Sequence, residues 1–239
     1  MRGTLLNTAT VAVGAGIGLA LGKIIPEGLM EVALTGLGLV TLGLGMKTFF
    51  ETKQLMLVAA AITIGGILGR LMGIEAGLAN LADQMKQAFG GAGRFQEGLI
   101  TATVLFCVGP MTLLGCLQDA LERKIELLAI KSLLDGVAAM FLAATLGVGV
   151  LASAILVFLI QGGLTLLAKP LKPIADDPEF IREASATGGL MLIATAFGLL
   201  NVKSLPTAAF LPALVLAPFA VWLSRKWKQP QVENGQSVG

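Results

Sequence analysis

The sequence predicts an all-α membrane protein: a bundle of hydrophobic helices that crosses the bilayer about eight times, with an inverted repeat relating spans 1–2 to spans 6–7. Three observations predict it. Of the 239 residues, 55% are hydrophobic and only 13% charged, where an ordinary soluble domain carries roughly 25% charged residues; mean hydropathy is +0.84. Apolar stretches of nearly the length needed to cross the hydrocarbon layer, about 20 residues, recur along the chain. A string of residues, P-E-x3-E-x3-T-G, occurs twice, at Pro26–Gly36 and at Pro178–Gly188.

The spans lie near 4–22, 29–46, 55–73, 98–117, 128–146, 148–168, 187–202 and 206–224, all in a single membrane domain of residues 1–228. The first is read as a retained span rather than a cleaved signal peptide, because Asn7 and three Thr interrupt it and no small-residue cleavage site follows. The fifth and sixth are joined only through Leu146-Gly147-Val148-Gly149, so seven spans is the rival count. In residues 74–89, Ile74, Leu78, Leu81, Met85 and Phe89 fall at helical steps on one stripe. That predicts an amphipathic helix lying at the membrane surface or packed over the bundle. Lys169 to Ser185 is charged and holds Pro170, Pro173 and Pro178, which predicts a water-exposed linker; Gln229 to Gly239 is polar and aperiodic, which predicts a disordered tail.

Orientation follows from lysine and arginine, which concentrate on the cytoplasmic side of membrane proteins. Under eight spans, twelve of them share a side with both termini and five lie opposite, which places both termini in the cytoplasm. A net charge of +2 offers no basic field for nucleic acid. The absence of His removes the commonest metal ligand, and neither a metal site nor a cofactor is expected. Cys107 and Cys116, nine residues apart, exceed disulfide reach within one straight helix and read as small buried hydrophobes. Gly14, Gly16 and Gly18 lie within a span rather than a strand-to-helix turn, so they suit helix packing and not nucleotide binding. Gly-rich faces of this kind also leave room for a homo-oligomer.

The repeated string is a helix amino terminus. Proline suits the first helical position, glutamate complements the positive end of the helix dipole, and steps of four keep Glu31 with Thr35, and Glu183 with Thr187, on one face. Glu97 and Thr101 form a weaker third copy. The plain reading is capping; the functional one is a polar path lined by these faces. The two strong copies open spans two and seven and so enter the membrane from opposite sides, an arrangement many transporters use to build a site near the midplane. Other polar groups fall at membrane depth, where charge is costly. Asp135 is the deepest, with Lys131 one turn before it and Ser132 beside it. An internal Lys131–Asp135 pair is the plain reading, and an ion or substrate contact the sharper one. Gln118 and Asp119 close the fourth span, after Gly109-Pro110, a pair expected to break the helix. Asn7 and Gln161 are further candidates, as glue between helices or as ligands.

Gly3-Thr4 with Asn7, Gly109-Pro110-Met111 followed by Gly115 and Gln118-Asp119, and Lys131-Ser132 with Asp135-Gly136 resemble the signatures of a bacterial inner-membrane family of unknown function, the YqgA/YdfK type. The resemblance covers essentially the whole chain. It implies a seven- or eight-span protein of the bacterial inner (plasma) membrane, and it transfers no substrate and no catalytic residue. The leading expectation is a transporter or channel for a small solute or ion, surrounded by the lipid bilayer. A non-transporting assembly or sensing protein is the alternative. A membrane-embedded enzyme ranks last, because no H-E-x-x-H or G-x-S-x-G signature is present.

Overall fold

The structure, a computed structural model, describes residues 1–89, 94–107 and 110–228. All regular structure among them is helical: α1 (Arg2–Leu21), α2 (Glu27–Phe49), α3 (Leu55–Leu71), α4 (Ile74–Phe89), α5 (Phe95–Cys107), α6 (Pro110–Leu121), α7 (Glu126–Leu146), α8 (Val148–Leu166), α9 (Ala168–Ala175), α10 (Pro178–Leu199) and α11 (Ala213–Lys228), with a 3-10 turn at Thr207–Phe210. Among the described residues, five helical stretches are long and apolar enough to cross a membrane, or seven if the bent pairs α3–α4 and α5–α6 each cross as one.

Small residues set the helix contacts. A Cβ on Gly14, Gly18 or Gly22 of α1 would stand 2.1, 2.1 and 2.7 Å from the carbonyl oxygens of Gly136, Met140 and Ala144 on α7. The register advances four residues on each helix together, so α1 and α7 run parallel with their backbones in contact, the geometry that small-xxx-small spacing permits. On the inner faces Val11, Ala15, Ala139, Leu142 and Leu146 join Phe106 and Val150 in the main core.

At the end of α7, Gly147 takes φ +81°, a left-handed conformation that glycine adopts without a Cβ penalty. The chain reverses there. Gly3 meets Leu128 near the start of α7, and Thr4 bonds Thr165 near the end of α8. Both helices therefore return to the first turn of α1, which rules out the fused fifth and sixth spans of the seven-span count.

Helices α2 and α10 cross antiparallel. Gly45 lies against Gly189, Gly38 against Leu199 and Leu200, and Gly189 against Phe49. The segment 169–185, expected as a water-exposed linker, is exposed at Lys169, Pro170, Lys172, Pro173 and Asp176 but is largely helical. Helix α9 fills its first part, and α10 starts at Pro178, nine residues earlier than the seventh span was drawn. Two local causes act at that start: Pro178 is preorganised for a first helical position, and the Asp177 carboxylate caps the helix by accepting the N–H groups of Glu179 (3.0 Å) and Phe180 (3.4 Å). The early start carries Glu183 and Ser185 into the protein interior.

The fourth span, drawn as continuous from 98 to 117, is two helices inclined at 60°. The Gly109 half of the expected Gly-Pro break lies outside the described residues, but Thr112 of α6 donates to the Phe106 carbonyl of α5 at 3.2 Å across the interruption. Cys107 and Cys116 are free thiols on either side of it. Helix α4 has the bounds expected for the amphipathic segment, bends 57° from α3, and is packed over the bundle: Ala82 and Met85 seat against Phe95, Leu99 and Ala152, while Leu81 of the anticipated stripe stays exposed.

The amino end of α10 is tied to the end of α11. Arg225 grips Asp177 through both carboxylate oxygens (2.5 and 3.0 Å), reaches Glu179 at 2.9 Å, and lies 4.9 Å from the centre of the Phe180 ring. These Arg225 bonds, seconded by the capped N–H groups of Glu179 and Phe180, hold the Asp177 carboxyl below the usual carboxylate range. A depressed carboxyl stabilises the fold fully above its unfolded pKa, about 3.9 for Asp, and that contribution is lost as pH falls through the lower folded value. Hydrogen-exchange protection of the first turn of α10 is therefore expected to survive into acid in the parent. In Arg225→Gln it should fail at a higher pH; equal acid profiles would refute the tie.

Candidate functional site

Seven of the polar residues singled out in the sequence converge where the starts of α1 and α7 meet the ends of α6 and α8. The close α1–α7 packing brings Asn7, fully buried, against Asp135, and the Asn7 amide donates to Asp135 Oδ2 at 3.0 Å. Lys131, one turn earlier on α7, donates to the same carboxylate oxygen and forms the expected ion pair with it. Both partners are more than nine-tenths buried. Ser132 turns inward but spends its hydroxyl on the Leu128 carbonyl (2.5 Å).

A second carboxylate lies at the end of α6. Asp119 accepts the Gly3 N–H at 3.0 Å and pairs with the amino group of Met1 at 2.8 Å. Beside it Thr4 and Thr165 share a 3.1 Å hydroxyl contact, and Thr165 donates onward to the Gln161 carbonyl at 2.8 Å. One turn along each helix from that contact stand Asn7 and Gln161. Among the described residues, Asn7 Oδ1, Gln118 Oε1 and both amide atoms of Gln161 are buried without a protein partner. Leaving such an atom unpaired costs about 1–3 kcal/mol, so this corner holds more hydrogen-bonding capacity than the helices consume. The broken span lies alongside: Phe106 and Thr112 flank the interruption and share one cavity with Lys131 and Asp135.

The remaining candidates lie elsewhere, and the two copies of the repeated string have opposite surroundings. Glu31 and Thr35 sit on an exposed face of α2, whereas Glu183 and Thr187 are fully buried. Glu183 accepts the Lys53 N–H at 3.1 Å, the Thr52 hydroxyl and Arg182 Nε at 3.1 Å, which ties the α2–α3 connection to α10; Thr187 donates back to the Glu183 carbonyl at 2.9 Å. Glu183→Ala removes the charged acceptor of the Lys53 N–H and the Thr52 hydroxyl, at a cost of about 1.5–3 kcal/mol. Limited trypsin digestion should then cut faster after Lys53, and an unchanged cutting rate would contradict this role. Glu97 forms a two-bond pair with Arg94 (2.6 and 2.5 Å) at the opposite end of the bundle. There Glu97 and Thr101 line a cavity of about 570 Å³ together with Asp83, Lys86, Asn201 and Lys203.

Sequence reasoning left Thr4 and Thr165 out of the polar path, although Gly3-Thr4 stands in the family motif and Thr165 lies four residues from Gln161. It also missed a second cavity, about 800 Å³, between α2 and α7, closed behind by α5, α6 and α10. Its wall is apolar apart from a few hydroxyls, Lys131 and Asp135.

No solved structure matches this chain. Two bacterial proteins match over nearly their full lengths. The "Uncharacterized membrane protein YdfK" of Bacillus subtilis (strain 168) is 28% identical over 227 residues, 93% of this chain and 96% of the relative. The "Uncharacterized protein YqgA" of Escherichia coli (strain K12) is 28% identical over 222 residues, 90% and 94% of the two chains. The family model described as "Protein of unknown function (DUF554)" matches residues 2–222, and with that the chain belongs to the DUF554 family of proteins, whose members include a bacterial membrane protein.

Proposed function

We propose that this protein is an inner-membrane transporter or channel for a small solute or ion, with a polar path that passes the Lys131–Asp135 pair. One observation carries the reading: a buried ion pair, joined by Asn7, stands in the bundle interior beside an interrupted helix. Ionisable residues at membrane depth mark ion and substrate routes far more often than they serve as ornament of a lipid-facing surface. Interrupted helices accompany such routes because they free backbone groups inside the protein. The cavity holding Glu97 and Thr101 would be the outer vestibule, and the cluster of Asp119, Gln118 and Gln161 the inner mouth. Counting α10 as a span beside the seven stretches makes eight and keeps both termini on the lysine-rich, cytoplasmic side. The antiparallel crossing of α2 and α10 at Gly45 and Gly189 suits an inverted pair of repeats. The exposed α2 face with Glu31 and Thr35 favours a second role, contact between copies of the chain in an assembly.

The test is flux in sealed liposomes, screened over monovalent cations, protons, anions and small organic acids against empty vesicles. The parent should move one class specifically. Asp119→Asn and the double variant Lys131→Met/Asp135→Asn, each verified as folded, should lower that flux by an order of magnitude. Full flux from the folded double variant would end the polar-path reading.

A further inference from the structure

The cavity between α2 and α7 has a lining of definable chemistry. Its rim is formed by Val40 and Leu44 of α2 and by Leu133, Leu134, Val137 and Phe141 of α7, all exposed on the side of the bundle. In a chain whose α2 and α7 are each long and apolar enough to span a bilayer, that rim opens toward lipid rather than water. At about 800 Å³ the cavity is in the range of small-molecule sites, roughly 300–1,000 Å³.

Its floor is what distinguishes it from a lipid groove. Lys131 reaches the cavity with a side chain only 8% exposed. An ammonium has three N–H donors, and Asp135 is its single hydrogen-bond partner among the described residues. The hydroxyls nearby are committed to their own helices: Thr41 donates to the Leu37 carbonyl, Thr112 to that of Phe106, and Ser185 to that of Ile181. Asp135 is meanwhile shared between Lys131 and Asn7. The Lys131 ammonium thus keeps N–H donors to spare beside a carboxylate whose two bonds both fall on Oδ2, in a low-dielectric surround where an unfilled charged donor is costly.

We infer that this cavity binds a single-chain carboxylate, a fatty-acid-like molecule that enters from the bilayer, lays its hydrocarbon between α2 and α7 and sets its carboxylate on the free N–H groups of Lys131. Charge-assisted bonds of this kind are about twice as strong as neutral ones, and the apolar wall takes the chain. The inference deepens the transport reading by naming a ligand class at the same ion pair, but occupancy does not require transport.

The experiment titrates spin-labelled stearate, its methyl ester and a spin-labelled alkyl quaternary ammonium into the full chain in phosphatidylcholine nanodiscs. The readout is the motionally restricted fraction by electron paramagnetic resonance. The parent should restrict the carboxylate several-fold more than the ester, and the ammonium least. Lys131→Met/Asp135→Asn, which removes both charges together, should restrict carboxylate and ester alike. Gly36→Trp is a second, independent arm: Gly36 lines the cavity, and a Cβ there meets nothing within 4 Å, so the indole fills the space and leaves the ion pair intact. It should abolish the restricted carboxylate signal. Equal restriction of carboxylate and ester by the parent, or a carboxylate preference that survives in either variant, overturns the inference. A parent that restricts stearate while moving no solute in liposomes keeps this site and removes the transport reading instead.

Discussion

Gly18→Leu is expected to separate α1 from α7 and to lower thermal stability sharply, while Gly16→Leu on the same helix is expected to be silent. The contrast isolates contact from propensity, since both changes add the same helix-favouring side chain. At Gly18 a Cβ alone would come within 2.1 Å of the Met140 carbonyl oxygen, and at Gly14 within 2.1 Å of that of Gly136, whereas at Gly16 nothing lies within 4 Å. The obstacle is backbone on the partner helix, so no rotamer change relieves it and the helix axes must part. Overpacking typically costs about 1–3 kcal/mol, occasionally more, and a backbone clash repeated along a parallel pair belongs at or above the upper end. At about 2–4 °C per kcal/mol for a chain of this length, thermal unfolding in detergent should fall by roughly 6–12 °C in Gly18→Leu and remain unchanged in Gly16→Leu. Moving α1 also withdraws Asn7 from Asp135 and Gly3 from Asp119, so the polar corner should loosen with it. A Gly18→Leu protein as stable as the parent would show that α1 and α7 do not pack as described.

How much of this was legible in the sequence depends on how local each cause is. The bounds of α4 follow from a stripe within sixteen residues, and the Lys131–Asp135 pair from a spacing of one turn. The start of α10 was read two ways: the Pro-Glu string at Pro178 as a helix amino terminus, which the structure bears out, and the charges and prolines of residues 169–185 as a solvated linker. What buries Glu183 there is the Lys53 N–H and the Thr52 hydroxyl, 130 and 131 residues away, and no local pattern carries them. The repeated string is instructive for the same reason. It specifies how a helix begins, and the partner helices decide separately that Glu183 and Thr187 turn inward while Glu31 and Thr35 face out.

The polar corner was legible as a set of residues and illegible as a site. Residue type and membrane depth alone pick out Asn7, Gln118, Asp119, Lys131, Ser132, Asp135 and Gln161. Their convergence rests on contacts such as Asn7 to Asp135 and Gly3 to Asp119, which span 128 and 116 residues. The parallel packing of α1 on α7 makes them, and its only trace in the sequence is the Gly14, Gly18, Gly22 spacing, which marks a packing face without naming its partner. The α2–α7 cavity leaves no such trace, since it is the space that several helices fail to fill.

Removing one charge of the central pair is expected to harm the protein more than removing both. In Asp135→Asn the Lys131 ammonium keeps a neutral amide in place of a carboxylate. In Lys131→Met the Asp135 carboxylate keeps only the Asn7 amide. Either way one charge stays buried without its counter-charge, a loss of about 3–5 kcal/mol, whereas replacing a buried pair by uncharged groups of similar volume is often neutral or stabilising. Lys131→Met/Asp135→Asn should therefore unfold close to the parent, with both single variants well below it, and the coupling should exceed the pair's net contribution to stability. Three variants and a thermal unfolding series in one detergent measure it. If the double variant fell by the sum of the two single losses, the pair would carry no coupling and Lys131 and Asp135 would be acting through other partners. If it folded like the parent and lost function, the ion pair would be retained for the work it does on a ligand or ion and not for the stability of the bundle. A group conserving neither stability nor flux would have no reason to hold two charges where lipid makes each of them costly.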